Sequence, residues 1–146
     1  MLRGNQPTRI DEKGRIKIPA GFRTVIEDSW GSDFYITSLN GESVRVYPLS
    51  VWQEIEQRLS STPAFNPTKK KFLDRANYFG QTTSMDKQGR VLIPQRLRDS
   101  AGMNGEVAVL GCMDYLDLWN DDRCRDRIEG DPFTVEDEHQ LGLLGV

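Results

Sequence analysis

Apolar residues in this chain often alternate with polar ones over short stretches, which is the pattern of half-buried β-strands. Ile16 and Ile18 occupy alternate positions of one stretch, and Val91 and Ile93 occupy the matching positions of another. Further stretches predicted as strands lie at 34–37, 44–47, 107–110 and 116–119. The chain is therefore predicted to be mainly β, with short helices between its strands.

Helical spacing of apolar residues appears between these strands and after the last of them. A short helix is predicted after each Ile-Pro, and the one in the second copy covers about 94–101. Other helices are predicted around 50–60, at 68–79, at 121–129 and at 134–141. Each proline is expected at the first helical position, where its missing N–H costs nothing. Ser50 and Gln53 suggest a capping box, and Asn120 suggests a cap for the helix that follows it.

One thirteen-residue motif occurs twice in the chain. Residues 11–23 match residues 86–98 at a constant offset of 75, with six identities: Asp, Gly, Arg, Ile, Pro and Arg. Asp11 and Gly14 begin the first copy, and Asp86 and Gly89 begin the second. Asp can accept a bond from the backbone two residues on and Gly tolerates positive φ, so each copy predicts a tight turn between two strands.

Each half of the chain thus shows an extended segment (8–10 or 82–85), a turn, a strand, a short helix and a hairpin. Halves of about 70 residues bury little core alone, so a pseudo-twofold barrel is expected, with strands pairing across the halves. The predicted divisions are a first repeat with its closing helix (1–62), a connecting helix (63–80), a second repeat with its closing helix (81–130) and an acidic tail (131–146).

Total charge and local charge disagree. The 146 residues carry a net charge of −3, which alone argues against a nucleic-acid ligand. Residues 1–23, however, hold six basic residues against two acidic ones, a balance of +4, and residues 69–98 hold eight against two, a balance of +6. The remaining residues sum to −13. Two basic units in an acidic frame suggest a surface for a polyanion, with ordinary solvated surface as the alternative.

Catalysis finds little support in these residues. Asp11 and Asp86 could form an aspartic dyad. Two charged residues follow Asp11, and a lysine and a glutamine follow Asp86, which suits an exposed turn better than a dry site. The single histidine, His139, lies in the acidic tail, and no glycine-rich phosphate loop is present. The protein is expected not to be an enzyme and to need no cofactor.

Metal, disulfide and membrane sites are also not expected. Cys112 and Cys124 lack a Cys-x-x-Cys spacing, so no metal site is expected and reduced thiols are predicted. No apolar run approaches the roughly 18 residues of a membrane span, and residues 1–7 lack the apolar centre of a signal peptide. A cytoplasmic location away from membranes is therefore expected.

DNA contact is the favoured role of the two turns. Arg15 and Arg90 each follow a turn at the start of a strand, from which a guanidinium could reach a guanine edge or a phosphate. Pairing of each arginine with the aspartate four residues earlier is equally open, and both could hold for different atoms. The residues expected at phosphates are Lys13, Lys17 and Lys87.

Two other groups of basic residues are assigned differently. Arg23 and Arg98 lie one helical turn past the prolines, a position that favours packing and ion pairing. The run Lys69–Lys71 is typical of a solvated helix face.

Two Asp-x-x-Gly-Arg turns, each leading to Ile-Pro and a helix, resemble the MraZ family of bacterial transcriptional regulators. Agreement extends to residues 2–4, to 46–52 and to 116–119, and covers about 1–129. The resemblance implies tandem AbrB-like swapped-hairpin units that form a barrel. It also implies a cytoplasmic, nucleoid-associated protein that binds double-stranded DNA repeats upstream of the cell-division and cell-wall genes, usually as a repressor. Ring-shaped homo-oligomers and DNA contact by Arg15 and Arg90 are implied as well.

An alternative of another class stays open: a barrel-shaped, antitoxin-like protein-interaction module without a DNA target. The net acidity and the charged tail favour that alternative. Three features depart from the family pattern, namely Leu2, Cys112 in its hairpin turn, and the tail after Gly130. None of them touches the two arginines.

Overall fold

A computed structural model describes all 146 residues, in nine strands and six helices. The strands of the first half are β1 (Leu2–Asn5), β2 (Thr8–Arg9), β3 (Arg15–Lys17), β4 (Asp33–Thr37) and β5 (Val44–Pro48). Those of the second half are β6 (Gln81–Ser84), β7 (Arg90–Leu92), β8 (Glu106–Met113) and β9 (Leu116–Asn120). The helices are α1 (Ala20–Ser29), α2 (Leu49–Ser60), α3 (Pro67–Tyr78), α4 (Gln95–Ala101), α5 (Asp121–Gly130) and α6 (Val135–Leu143).

The mainly antiparallel architecture with short helices is confirmed, and the repeated order of elements in the two halves is confirmed with it. Strand β1 was not predicted, because Leu2 is its only buried residue and no alternation marks it. The division of the chain at 62, 80 and 130 stays a prediction.

Strands are exchanged between the halves, as the sequence predicts. The large sheet has the order β1-β8-β9-β5-β4-β6, and β2 also pairs with β8. Strands β1 and β2 of the first half therefore pair with β8, in the β8–β9 hairpin of the second half. Strand β6 of the second half pairs with β4, in the β4–β5 hairpin of the first half. The central pair, β5 with β9, joins the two halves along the pseudo-twofold axis.

Strands β3 and β7 form a separate two-stranded ribbon. The hydrogen-bonded order of the large sheet is open between β2 and β6, and the ribbon connects these two edges because β2 leads into β3 and β6 leads into β7. The junctions are bonds from Asp11 N–H to Arg15 O and from Asp86 N–H to Arg90 O, at 2.8 and 2.9 Å. The ribbon thus closes one side of the swapped-hairpin arrangement.

One core of 18 residues is shared by both halves. Ile16 and Val91 are Cα partners in the ribbon, and both are almost fully buried within this core. The hairpin residues Val44, Val46, Leu116 and Leu118 bury their side chains in the same core. Neither half could complete this core without the other.

Several helix starts differ from expectation. Pro19 and Pro94 are the caps of α1 and α4, one residue before the expected position, because their ψ angles of 140° and 143° are extended. The capping box at Ser50 is wrong: Pro48 caps α2, and no side chain bonds the helix start. The Asn120 cap is confirmed, since its side chain accepts from Arg123 N–H at 3.1 Å.

Residues 131–146 are exposed throughout. The expected helical turn becomes α6, which begins at a capping box between Thr134 and Asp137. No helix in the chain has the length and apolar character needed to cross a bilayer.

Candidate nucleic-acid interface

The first turn is built by the Asp11 carboxylate. Its Oδ1 accepts from Lys13 N–H at 2.9 Å and from Arg15 N–H at 2.8 Å. Gly14 donates its N–H to the Asp11 carbonyl at 3.0 Å and has a φ of +81°, which glycine adopts without steric cost. The side chain of one residue thus holds the whole reversal of the chain.

The second turn repeats this geometry. Asp86 Oδ1 accepts from Gln88 N–H and from Arg90 N–H, both at 2.9 Å. Gly89 donates to the Asp86 carbonyl at 3.0 Å and has a φ of +79°. The turns predicted at both copies of the motif therefore form in the same conformation.

Each arginine pairs with its aspartate through Nε alone. The Arg15 Nε to Asp11 Oδ2 and Arg90 Nε to Asp86 Oδ2 distances are both 2.9 Å. Neither arginine hydrogen-bonds elsewhere through its two Nη atoms, so both retain terminal donors for a ligand. The ion pair aims the guanidinium and leaves its outer edge available.

These bonds lower the pKa of both aspartates. The backbone N–H of Arg15 is the largest influence that holds the pKa of Asp11 below its ordinary value of 3.8, and the Arg15 side chain adds to it. Arg90 lowers the pKa of Asp86 in the same way. Both carboxylates are therefore ionised near neutral pH and keep their arginines oriented.

The outer face of the ribbon gathers three of the predicted site residues. Ile16 and Val91 point into the core, so their neighbours Arg15, Lys17, Arg90 and Leu92 point outward. Lys17 is the Cα partner of Arg90, and Leu92 is the partner of Arg15. Ladder spacing places the Cα atoms of Arg15 and Arg90 about 8 Å apart.

Lys13 and Lys87 lie elsewhere, in the two turns at the ends of the ribbon. Both side chains are exposed. They are not equivalent by the repeat, since the offset of 75 aligns Lys13 with Gln88 and Lys87 with Glu12. The two ends of the ribbon therefore carry different charges.

Leu92 was missed by the sequence reasoning. Its side chain is 43% exposed on the same face as the arginines, at the position where the first copy has Lys17. The repeat held the signal, because an apolar residue aligned with an exposed lysine is out of place on a solvated strand. The ribbon face is thus basic with one apolar member.

The two cysteines lie away from this face. Cys124 is buried against Ala108 and Trp119, Cys112 is half-buried, and neither forms a disulfide. Burial raises the pKa of both thiols, which keeps them protonated at neutral pH. No group of three His, Cys, Asp or Glu side chains is placed to hold a metal ion.

Comparison with known proteins places this arrangement in a family. The model of the MraZ family, described as "MraZ protein, putative antitoxin-like", matches residues 1–75 and 80–139. Each matched segment contains one Asp-x-x-Gly-Arg turn. The chain belongs to the MraZ family.

Curated relatives support this MraZ assignment over the full length. A protein of Acidobacterium capsulatum named transcriptional regulator MraZ is 50% identical over 146 residues, covering all of both chains. A protein of the same name from Koribacter versatilis is 49% identical over 147 residues, again covering both chains completely. A third, from Nitrosospira multiformis, is 32% identical over 123 residues, or 84% of each chain. The family resemblance noted in the sequence is therefore confirmed.

Proposed function

We propose that this MraZ-family chain is a sequence-specific DNA-binding transcriptional regulator that reads DNA with the outer face of the β3–β7 ribbon. One observation carries the proposal: Arg15 and Arg90 project from this ribbon with their terminal nitrogens unoccupied. The major groove of B-DNA admits a two-stranded ribbon, and arginine can bond both acceptors of a guanine edge. Relatives that bear the name transcriptional regulator support the same role.

The charge distribution suits a polyanion. Lys17 lies beside Arg90 on the ribbon, and the exposed Lys13 and Lys87 flank it in the turns. These lysines would contact phosphates, which positions a protein on the duplex without reading its sequence. The acidic frame around the ribbon would repel DNA elsewhere and confine binding to this face.

The resemblance supplies the finer part of the proposal. We propose that the DNA is a set of short repeats upstream of the cell-division and cell-wall genes, and that binding represses them. One ribbon offers only two arginines, so a ring of several copies that engages successive repeats would gain affinity by linkage. A cytoplasmic, nucleoid-associated location follows from this proposal.

A gel-shift assay on the DNA upstream of the chain's own gene tests the proposal. Arg15→Ala and Arg90→Ala should each weaken binding about 5- to 150-fold, the loss expected for a good bidentate contact. Arg58→Ala is the matched control, because Arg58 is exposed on α2 and the charge change is the same. Equal binding by both ribbon variants and wild type would refute the site.

The salt dependence of binding separates this function from an antitoxin-like protein module. The logarithm of the DNA association constant should fall as the logarithm of the salt concentration rises, with a slope of about −0.9 for each phosphate contacted. A wild-type chain that shows no preference for its upstream DNA over unrelated DNA would exclude the regulator. Binding to a protein partner instead would favour the module.

A further inference from the structure

Each of the two turns is contacted by an arginine from the opposite half of the chain. Arg98 of α4 lies under Gly14, so closely that a Cβ added there would coincide with its guanidinium. Arg23 of α1 lies under Gly89, where an added Cβ would be 2.9 Å from Arg23 Nη1. Both glycines are buried by these contacts although they lie in surface turns. The arrangement is crossed: a first-half arginine supports the second turn, and a second-half arginine supports the first.

Backbone hydrogen bonds follow the same crossed pattern. Ile93 N–H donates to the Gly14 carbonyl at 2.9 Å, and Ile18 N–H donates to the Gly89 carbonyl at 2.8 Å. Each turn glycine is therefore held from the other half by a backbone hydrogen bond and by contact with a guanidinium. Each turn and its support thus come from opposite halves of the chain.

The supporting guanidinium groups are themselves held in place. Arg23 pairs with Glu27 and donates from Nη2 to the Lys87 carbonyl at 3.2 Å, inside the second turn. Arg98 donates from Nη2 to Gln95 Oε1 at 2.7 Å, while its buried Nε has no partner. Packing of the planar group against the glycine thus dominates at the first turn, and a hydrogen bond to the turn adds to packing at the second.

We propose that Arg23 and Arg98 are positioning residues for DNA binding, Arg98 for the turn that carries Arg15 and Arg23 for the turn that carries Arg90. The proposal rests on the DNA-binding function proposed above. A recognition side chain must be held within about 0.5 Å of its productive geometry. The three atoms nearest to a Cβ added at Gly14 all belong to Arg98, and those at Gly89 all belong to Arg23. Arg23 and Arg98, for which the sequence favours packing and ion pairing, would thus control the orientation of Arg15 and Arg90.

Conservative replacement separates positioning from direct contact. Lysine keeps the charge of arginine but lacks its planar group. If Arg98 contacted a phosphate, Arg98→Lys would bind DNA almost normally. We expect instead that Arg98→Lys weakens binding about tenfold, as does Arg23→Lys. Arg96→Lys, on the exposed face of the same helix, is the matched control and should bind like wild type.

Double-mutant cycles then test the crossing. Arg98→Lys should cause no further loss in a chain that already carries Arg15→Ala, and should add its full effect to Arg90→Ala. Arg23→Lys should show the reverse pattern. If a lysine variant couples equally to Arg15→Ala and to Arg90→Ala, it destabilises the protein generally. If its loss of affinity adds fully to both alanine variants, the replaced arginine contacts DNA directly. Either result would overturn the proposal.

A measurement without DNA decides the structural part independently. Hydrogen exchange by mass spectrometry should be faster at residues 11–15 in Arg98→Lys and faster at 86–90 in Arg23→Lys, with the other turn unchanged. Unchanged exchange at both turns would overturn the positioning role. If each variant speeds hydrogen exchange only at the turn of the opposite half, but wild type binds no DNA, the proposed DNA-binding function fails. The support of each turn by the opposite half's arginine would still stand.

Discussion

At the scale of single residues, two glycines each meet two demands. Gly14 and Gly89 have positive φ, and each lies against a guanidinium that an added Cβ would have to displace. Gly102 combines positive φ with the Arg123 guanidinium in the same way, whereas Gly31, Gly105 and Gly145 have positive φ and open space around them. Gly4 has a φ of +90° and nothing within 4 Å of an added Cβ. This contrast allows backbone strain and loss of the arginine contact to be measured separately.

Gly14→Ala is predicted to lower both stability and DNA affinity. The left-handed backbone costs an alanine about 1–2 kcal/mol, and the new methyl group displaces Arg98. Gly4→Ala should lose only the stability due to backbone strain in urea unfolding and should keep wild-type DNA affinity. If the two variants lose affinity equally, the guanidinium contact has no role in binding.

The lowered pKa values of Asp11 and Asp86 predict that the free energy of unfolding falls at acidic pH. Their pKa values are lower in the folded chain than the ordinary 3.8, so their charged forms stabilise the fold at neutral pH. That stabilisation is present above the unfolded pKa and is lost as pH falls below about 4 towards the folded pKa.

Asp11→Asn and Asp86→Asn test this dependence. Wild type should be more stable than either variant at neutral pH, and the difference should shrink as pH falls from about 7 to about 3. Urea midpoints measured at several pH values give this difference directly. A difference that stays constant down to the lowest pH would show that the carboxylate charge does not stabilise the turns.

At the scale of elements, the ribbon is the unit that could read DNA. Its inner face is fixed by Ile16 and Val91 in the core, so its outer face has little freedom to move. The outer face is not symmetric, because Leu92 occupies the place that Lys17 has in the first copy. An exposed apolar side chain between arginines suits contact with a thymine methyl group.

Replacement of thymine by deoxyuridine in the bound repeat should reveal this contact. Loss of one buried methyl group is worth about 0.8 kcal/mol, so wild type should bind the substituted DNA about fourfold more weakly. Leu92→Ala should bind both DNAs alike, and Lys17→Ala should keep the wild-type discrimination. Equal discrimination by all three proteins would remove Leu92 from the interface.

At the scale of the whole molecule, the exchange of strands makes two repeats one folding unit. Ile16 of the first half is fully buried and is the Cα partner of Val91 from the second half. Sheet pairing, the ribbon and the core all join residues that are distant in the chain. The halves should therefore unfold together.

Ile16→Ala is predicted to lower the free energy of unfolding by about 2–5 kcal/mol without splitting the transition. Urea unfolding followed by tryptophan fluorescence and by far-UV circular dichroism should give coincident curves, because the two halves share one core. Trp52 and Trp119 lie in different halves, so the fluorescence reports on both. Leu92→Ala, on the exposed face of the same ribbon, should lose far less. Two separate transitions would contradict a shared core.

Much of the fold and of the candidate site follows from local rules that act within a few residues. Asp and Gly at fixed spacing specify the two turns, and the alternation of apolar residues specifies the buried face of each strand. The motif repeated at an offset of 75 indicates two equivalent units. Arg15, Lys17 and Arg90 could be named because each lies at a defined distance from a turn. The failed capping box at Ser50 shows the limit of such rules, since a proline cap serves α2 instead.

The sequence by itself determined the repeat, the turns and the side chains they present, because these depend on neighbours along the chain. Only the tertiary structure decided which strands pair, since alternation identifies a buried face but not the strand beside it. Exchange between the halves brought β3 against β7, joined three basic side chains on one face, and set Arg23 and Arg98 beneath turns about 65 to 85 residues away. Those contacts arise from packing of distant segments, which no local pattern encodes.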